Sequence, residues 1–165
     1  MGRSVSLLLV ANRPGDPTRG MVPSLTFDIV AGGEVVGEIV LRNGDTDALQ
    51  RYAGHVGYAV FPKHRNRGYA TEALLQLLPI ARSAGLKELW ITCSLENASS
   101  RRVVEKVGAC FVEVVELPPS AKLYVHGDRW RCRYRIALGE HNWELKLGAR
   151  TVRPPFGQRS REQYD

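Results

Sequence analysis

The segment Lys63-His64-Arg65-Asn66-Arg67-Gly68-Tyr69-Ala70-Thr71 gathers four basic or potentially basic side chains around one glycine. It joins an apolar, strand-like run ending at Phe61 to an amphipathic stretch that begins at Gly68. A helix starting there leaves its first backbone N–H groups without partners and carries a partial positive charge. Gly68 lets an anion reach those groups with no side chain in the way, so the expected chemistry is the binding of phosphate or pyrophosphate. The spacing Gly-x-x-x-x-Gly-Lys-Ser/Thr is absent and only one glycine is present, which argues against a nucleoside triphosphate loop and a dinucleotide fold. A solvated basic loop without a ligand is the alternative that local composition leaves open.

The elements that must position this loop can be read from period and punctuation. Strand-like runs occur at Ser4 to Ala11, Ser24 to Ala31, Glu34 to Arg42 and Gly54 to Phe61, with Gly32-Gly33 predicting a hairpin turn between the second and third. From Gly68 to Ala84 apolar residues recur at helical spacing, with Gly85 where a C-terminal cap belongs and Pro79 predicting a kink or a loosened last turn. A strand from Glu88 to Cys93 follows. A second helix from Asn97 to Val107, closed by Gly108, then leads to strands at Ala109 to Leu117 and Arg129 to Leu138. In that helix Arg101 and Glu105 are an i,i+4 pair, and Ser100 shares a face with Val103, Val104 and Val107. The predicted fold class is therefore mixed α/β (α+β), with a mostly antiparallel central sheet flanked by helices, in the order β-β-β-β-α-β-α-β-β. Residues 1–140 form the expected single domain, and 141–165, rich in Gly, Pro and Arg, an irregular or partly disordered basic tail.

Two segments in that order resemble the GNAT acyltransferases. Arg65, Gly68 and Ala70 fill the family's pyrophosphate pattern Arg/Gln-x-x-Gly-x-Gly/Ala. Asn97-Ala98-Ser99-Ser100-Arg101-Arg102-Val103-Val104-Glu105-Lys106-Val107-Gly108 is similar to the family's Asn-x-x-Ser-x-x-Val-x-Glu-Lys-x-Gly helix. The resemblance covers roughly Val22 to Leu138, and around His55-Val56-Gly57-Tyr58 and Ile91-Thr92-Cys93 it is closest to a poorly characterised bacterial acetyltransferase subgroup. It implies an acyl-CoA-dependent N-acetyltransferase, with acetyl-CoA as donor and a primary amine of a small molecule or peptide as acceptor. Carried over by position, the backbone of Val60 and Phe61 would meet the pantetheine. Arg65, Asn66, Arg67, Gly68, Tyr69, Ala70 and Thr71 would hold the pyrophosphate, and Asn97 the pantetheine arm. The family's usual one or two helices after the first strand are shortened or missing, since only the Pro/Gly-rich loop Asn12 to Pro23 stands in their place. A second subunit or the tail would then complete the acceptor cleft, or the cleft is unusually open.

Acyl transfer sets different demands on base and acid. Deprotonating a lysine-like amine at pH 7 costs roughly 4 to 5 kcal/mol, an α-amine roughly 1 to 1.4, while a departing thiolate falls short of protonation by only about 2. His55 is the candidate base, because an ordinary imidazole is mostly neutral at pH 7, with Glu38 and Glu96 as reserves. Many relatives place a tyrosine acid where this chain has Val104; Ser100, or a water it holds, is the candidate donor instead, against a plain helix-start hydroxyl. Tyr58 and Tyr69 read as packing aromatics. Cys93 reads as a buried inert thiol, so direct transfer is expected rather than an acyl-enzyme.

Composition narrows the setting. The 165 residues are 44% apolar and 24% charged, with a formal net charge of +6, which suits one globular domain with a polyanionic partner. Three cysteines, Cys93, Cys110 and Cys132, lack Cys-x-x-Cys spacing, so neither disulfides nor a metal is expected, and a cytoplasmic setting fits. The short apolar run from Val5 to Ala11 predicts neither a signal peptide nor a membrane span, and the Gly2/Ser6 match to a myristoylation pattern is set aside. The runner-up is a catalytically silent acyl-CoA-binding module or a basic nucleic-acid adaptor. Arg150, Arg153, Arg159 and Arg161 would serve the latter, but Glu162 and Asp165 dilute them and no base-stacking motif accompanies them.

Overall fold

The computed structural model describes residues 4–139; Gly2 and the tail 141–165 lie outside them. Two antiparallel sheets form the framework. The first has the order β1 (Val5–Arg13), β2 (Ser24–Ala31), β3 (Glu34–Arg42), β4 (Val56–Val60). The second, made of β5 (Glu88–Ser94), β6 (Cys110–Glu116) and β7 (Trp130–Ala137), has the order β5-β7-β6. The helices are α1 (Tyr69–Ser83), α2 (Ala98–Lys106) and the single turn α3 (Lys122–Val125). The predicted order holds, with α3 and the short turns at residues 17–19, 49–53 and 62–64 added.

Alternation decides which face is covered. Phe27, Ile29 and Ala31 of β2 and Ile39 and Leu41 of β3 are buried in one cluster with Ala73, Leu74, Leu77, Leu78 and Ala81 of α1. The β2–β3 hairpin closes through Gly32 and Gly33 at φ 59° and 77°, values a side chain resists, with Ala31 paired to Glu34. Both long helices end alike. Gly85 (φ 94°) donates to Arg82 O and Leu86 N to Ala81 O, and Gly108 (φ 87°) donates to Glu105 O and Ala109 N to Val104 O. Pro79 removes one bond, yet α1 continues to Ser83, because the residues around it, Leu78, Ile80 and Ala81, are buried. Between β1 and β2 the described chain holds only the turn Pro17–Arg19, so the shortened N-terminal region is as expected.

The single central sheet of the sequence reading is divided between β4 and β5. Just before β4 the two sheets are tied together: His55 N donates to Trp90 O (2.7 Å) and Trp90 N to His55 Nδ1 (2.8 Å). Gly54 permits this approach, since a Cβ there would lie 3.0 Å from Thr92 N. No ladder joins the strands beyond it. Among the described residues no helix is long and apolar enough to cross a membrane.

Candidate functional site

The end of β4, the loop into α1 and the first turns of α2 enclose an open cleft of about 700 Å³. Tyr58, Ala59 and Val60 form one wall, residues 64–71 a second, and Asn97, Ser99, Ser100, Arg102, Val103 and Lys106 a third. The structure thus brings together Val60, Arg65, Asn66, Arg67, Gly68, Tyr69, Ala70, Thr71, Asn97 and Ser100. Phe61 and His55 are not among the lining residues.

The loop leaves the start of α1 open. Gly68 (φ 77°) is the N-cap of α1 and supplies no side-chain cap, so the first-turn N–H groups lack one. A Cβ at Gly68 would meet nothing within 4 Å, which leaves the approach to those groups open. Asn66 also takes a left-handed backbone (φ 62°), which asparagine tolerates better than most residues. Of the four basic side chains gathered in this segment, Lys63 is held by Glu34 (2.7 Å). Arg65 Nε donates to Val60 O (3.0 Å), fastening the loop to the end of β4. His64 is buried, its Nε2 lying 3.3 Å from Glu34 Oε1 without hydrogen-bond geometry. The positive lining is completed from α2 by Arg102 and Lys106, which sequence reading overlooked although their i,i+4 spacing places them on one face.

Ser100 is held from two sides. Its N–H donates to Asn97 Oδ1 (3.0 Å), the predicted cap, and its Oγ lies 2.7 Å from Tyr58 Oη, which also donates to Ser100 O (3.2 Å). Tyr58, read from sequence as packing, is therefore a hydrogen-bonding member of the site. Burial pushes its pKa up to about 12, outweighing the opposing hydrogen bond from Ser100. Burial likewise raises the Cys93 thiol. Val104 is fully buried in the core, so no proton donor stands there. Arg101 and Glu105 do not pair directly: Arg101 Nε donates to Tyr134 Oη (3.3 Å), which donates to Glu105 Oε1 (3.0 Å).

His55, the expected base, is only 2% exposed, and both ring nitrogens are engaged with backbone. Nδ1 accepts from Trp90 N, and Nε2 lies 2.8 Å from Gly44 O, which fixes a neutral ring with its proton on Nε2. Burial lowers its pKa. With no lone pair free, the ring cannot take a proton from an amine; it ties β4, β5 and the loop after β3 together. The reserves Glu38 and Glu96 are exposed and do not line the cleft. Among the described residues no His, Cys, Asp or Glu group is arranged to hold a metal.

A family model described as acetyltransferase (GNAT) domain matches residues 14–109. An uncharacterized N-acetyltransferase, YnaD of Bacillus subtilis (strain 168), is 29% identical over 89 residues, covering 53% of this chain and 49% of that protein. A GNAT-family acetyltransferase structure from Bacillus anthracis is 28% identical with a TM-score of 0.54, covering 68% of this chain and 66% of that one. RimJ of Mycobacterium smegmatis, in complex with CoA-disulfide, is 26% identical with a TM-score of 0.54, covering 69% and 53% respectively. The chain thus spans about half the length of the curated relative it matches.

Proposed function

This chain belongs to the GNAT acetyltransferase family, and we propose that it moves an acetyl group from acetyl-CoA directly to a primary amine of a small molecule or peptide. The observation that carries this is the continuity of one cleft from the uncapped start of α1 to the Tyr58–Ser100 pair. The N–H groups after Gly68, with Arg65, Arg67, Arg102 and Lys106 around them, suit the pyrophosphate of CoA. Val60 and Asn97 lie along the path of the pantetheine, which leads the thioester toward Tyr58 and Ser100. Phe61 N–H is already given to Val36 O (2.9 Å), so on this side the strand offers Val60 rather than Phe61.

In the transfer, the amine nitrogen attacks the thioester carbon, the C–N bond forms, the C–S bond breaks, and the sulfur leaves as thiolate. Proton transfer from a phenol of pKa about 12 to a thiolate of ordinary pKa near 8.5 is uphill on the order of 5 kcal/mol. With one hydroxyl proton held between their two oxygens, Tyr58 and Ser100 act as a pair that has one O–H to donate to the developing charge, and solvent supplies the thiol proton. The surplus proton of the amine also goes to water, since neither His55 nor a cleft carboxylate is available to take it. That arrangement favours an α-amine, whose deprotonation costs only about 1 to 1.4 kcal/mol at pH 7.

Calorimetry with acetyl-CoA on the native chain and on an Arg65→Ala/Gly68→Asp double variant tests the donor site, followed by thiol release across a panel of amines. Micromolar binding lost in the variant is the expected result. A native chain that binds no acetyl-CoA overturns the reading.

A further inference from the structure

The sheet face turned away from α1 and α2 carries a second set of cations. On β3, Ile39 and Leu41 point into the core and Arg42 points away; on β7, Cys132 and Tyr134 point in and Arg131 and Arg133 away. Arg42 Nη1 donates to Gly54 O (3.2 Å), and its guanidinium lies over Gly57, where an added Cβ would be 3.1 Å from Nη2. Arg131 Nη2 donates to Thr92 O and Thr92 Oγ1 (both 3.1 Å), and that hydroxyl donates to Tyr52 O (2.7 Å). Both guanidinium groups thus converge where β4 meets β5.

Their charge is incompletely compensated. Arg133 has Glu113 and the Trp90 ring, and Arg135 has Glu88. Arg131 has Asp128 (2.8 Å), but its Nε is buried without a partner. Arg42 has no carboxylate partner among the described residues. Its pKa is lowered, first by burial and then by the positive charge of Arg131, as two desolvated cations facing one another require. An arriving anion would relieve that repulsion.

This place also adjoins the chemistry. Gly57 and Tyr58 are consecutive on β4 and face opposite sides, and Gly57 has no side chain to block the edge between them. We propose that Arg42 and Arg131 form an anion subsite for the acceptor, which is a primary amine that also carries a carboxylate or phosphate. The proposal rests on the acetyltransferase reading above. An acceptor anchored there presents its nitrogen across β4 to the thioester carbon beside Tyr58. The C–N bond forms as the C–S bond breaks, and the amine proton passes to water.

The test uses the full chain saturated with acetyl-CoA for turnover, or with CoA for calorimetric titration. Two matched pairs of α-amines are compared: glycylglycine against glycylglycinamide, and O-phosphoserinamide against serinamide. At least one anionic member is expected to bind and react roughly 10-fold or more better than its neutral partner, as a charge-assisted contact implies. Which pair shows the preference separates carboxylate from phosphate. Arg42→Gln should reduce the preference to within about 2-fold while leaving acetyl-CoA affinity unchanged, and Gly57→Val, which displaces the guanidinium, should do the same. Equal handling of both pairs, or a preference that survives both substitutions, overturns the subsite, as does an absence of amine binding to the CoA complex. Failure to bind acetyl-CoA would instead overturn the parent reading.

Discussion

Tyr58 Oη and Ser100 Oγ stand 2.7 Å apart and join β4 to α2 across the cleft. The contact links residues 42 positions apart in sequence, one on a strand and one in the first turn of a helix. Its value depends on both partners, since either hydroxyl alone is free to turn away from a developing thiolate. Tyr58→Phe and Ser100→Ala should each lower kcat about 10-fold, the equivalent of one charge-assisted hydrogen bond, with acetyl-CoA affinity within about 2-fold of native. The double variant should be little worse than the poorer single one, because the pair acts as a unit. Thiol release with saturating amine reads all three; full activity in both single variants would remove the pair from the mechanism.

His55→Ala should cost about 3 kcal/mol of stability, because it leaves the Trp90 N–H and the Gly44 carbonyl unpaired in a buried setting. Urea unfolding measures this. The pH profile of kcat/KM in the folded fraction should keep its shape, which loss of a general base would not allow. The lowered pKa of His55 adds a sign. Below about pH 6.5 the unfolded chain takes up a proton that the folded ring refuses, so the native protein loses stability as pH falls there. His55→Gln should lack that component.

What was legible in the sequence was local. Gly32-Gly33 gave its hairpin to the residue, and Gly68, Gly85 and Gly108 marked helix ends because each needs positive φ. The start of α1 was legible for the same reason: a glycine between a strand and an amphipathic run is a short-range statement. What escaped was long-range. Whether a strand tyrosine packs or bonds depends on which face meets α2, and a lone histidine looks the same as a base or as a strand tie. The partners of His55 are backbone groups of Gly44 and Trp90, which carry no side-chain signal. The division of the sheet turns on where β4 and β5 part, which no local pattern of residues marks.

Cys93 and Cys132 are buried and Cys110 is exposed. One of the three thiols should therefore react rapidly with a thiol reagent in the native protein, and all three after unfolding. Since burial raises the Cys93 pKa, it is a poor nucleophile. Cys93→Ala should keep turnover within about 3-fold. Loss of all activity with retained acetyl-CoA binding would instead indicate an acyl-enzyme.

Tyr58 also makes an alkaline prediction. Its pKa of about 12 in the folded chain lies above the ordinary value near 10, so the unfolded state releases the proton first as pH rises. The associated stability is fully present below about pH 10 and is lost between there and 12. At pH 11 the loss attributable to this one group is about 1 kcal/mol relative to pH 8. Tyr134, also raised by burial, and the other ionising groups contribute equally to native protein and Tyr58→Phe, so the difference between the two isolates Tyr58. Urea midpoints at pH 8 and pH 11 should converge for native and variant as pH rises. Parallel curves would mean that the Tyr58 phenol is solvated and ionises normally, which would also weaken its assignment as a neutral donor held against Ser100.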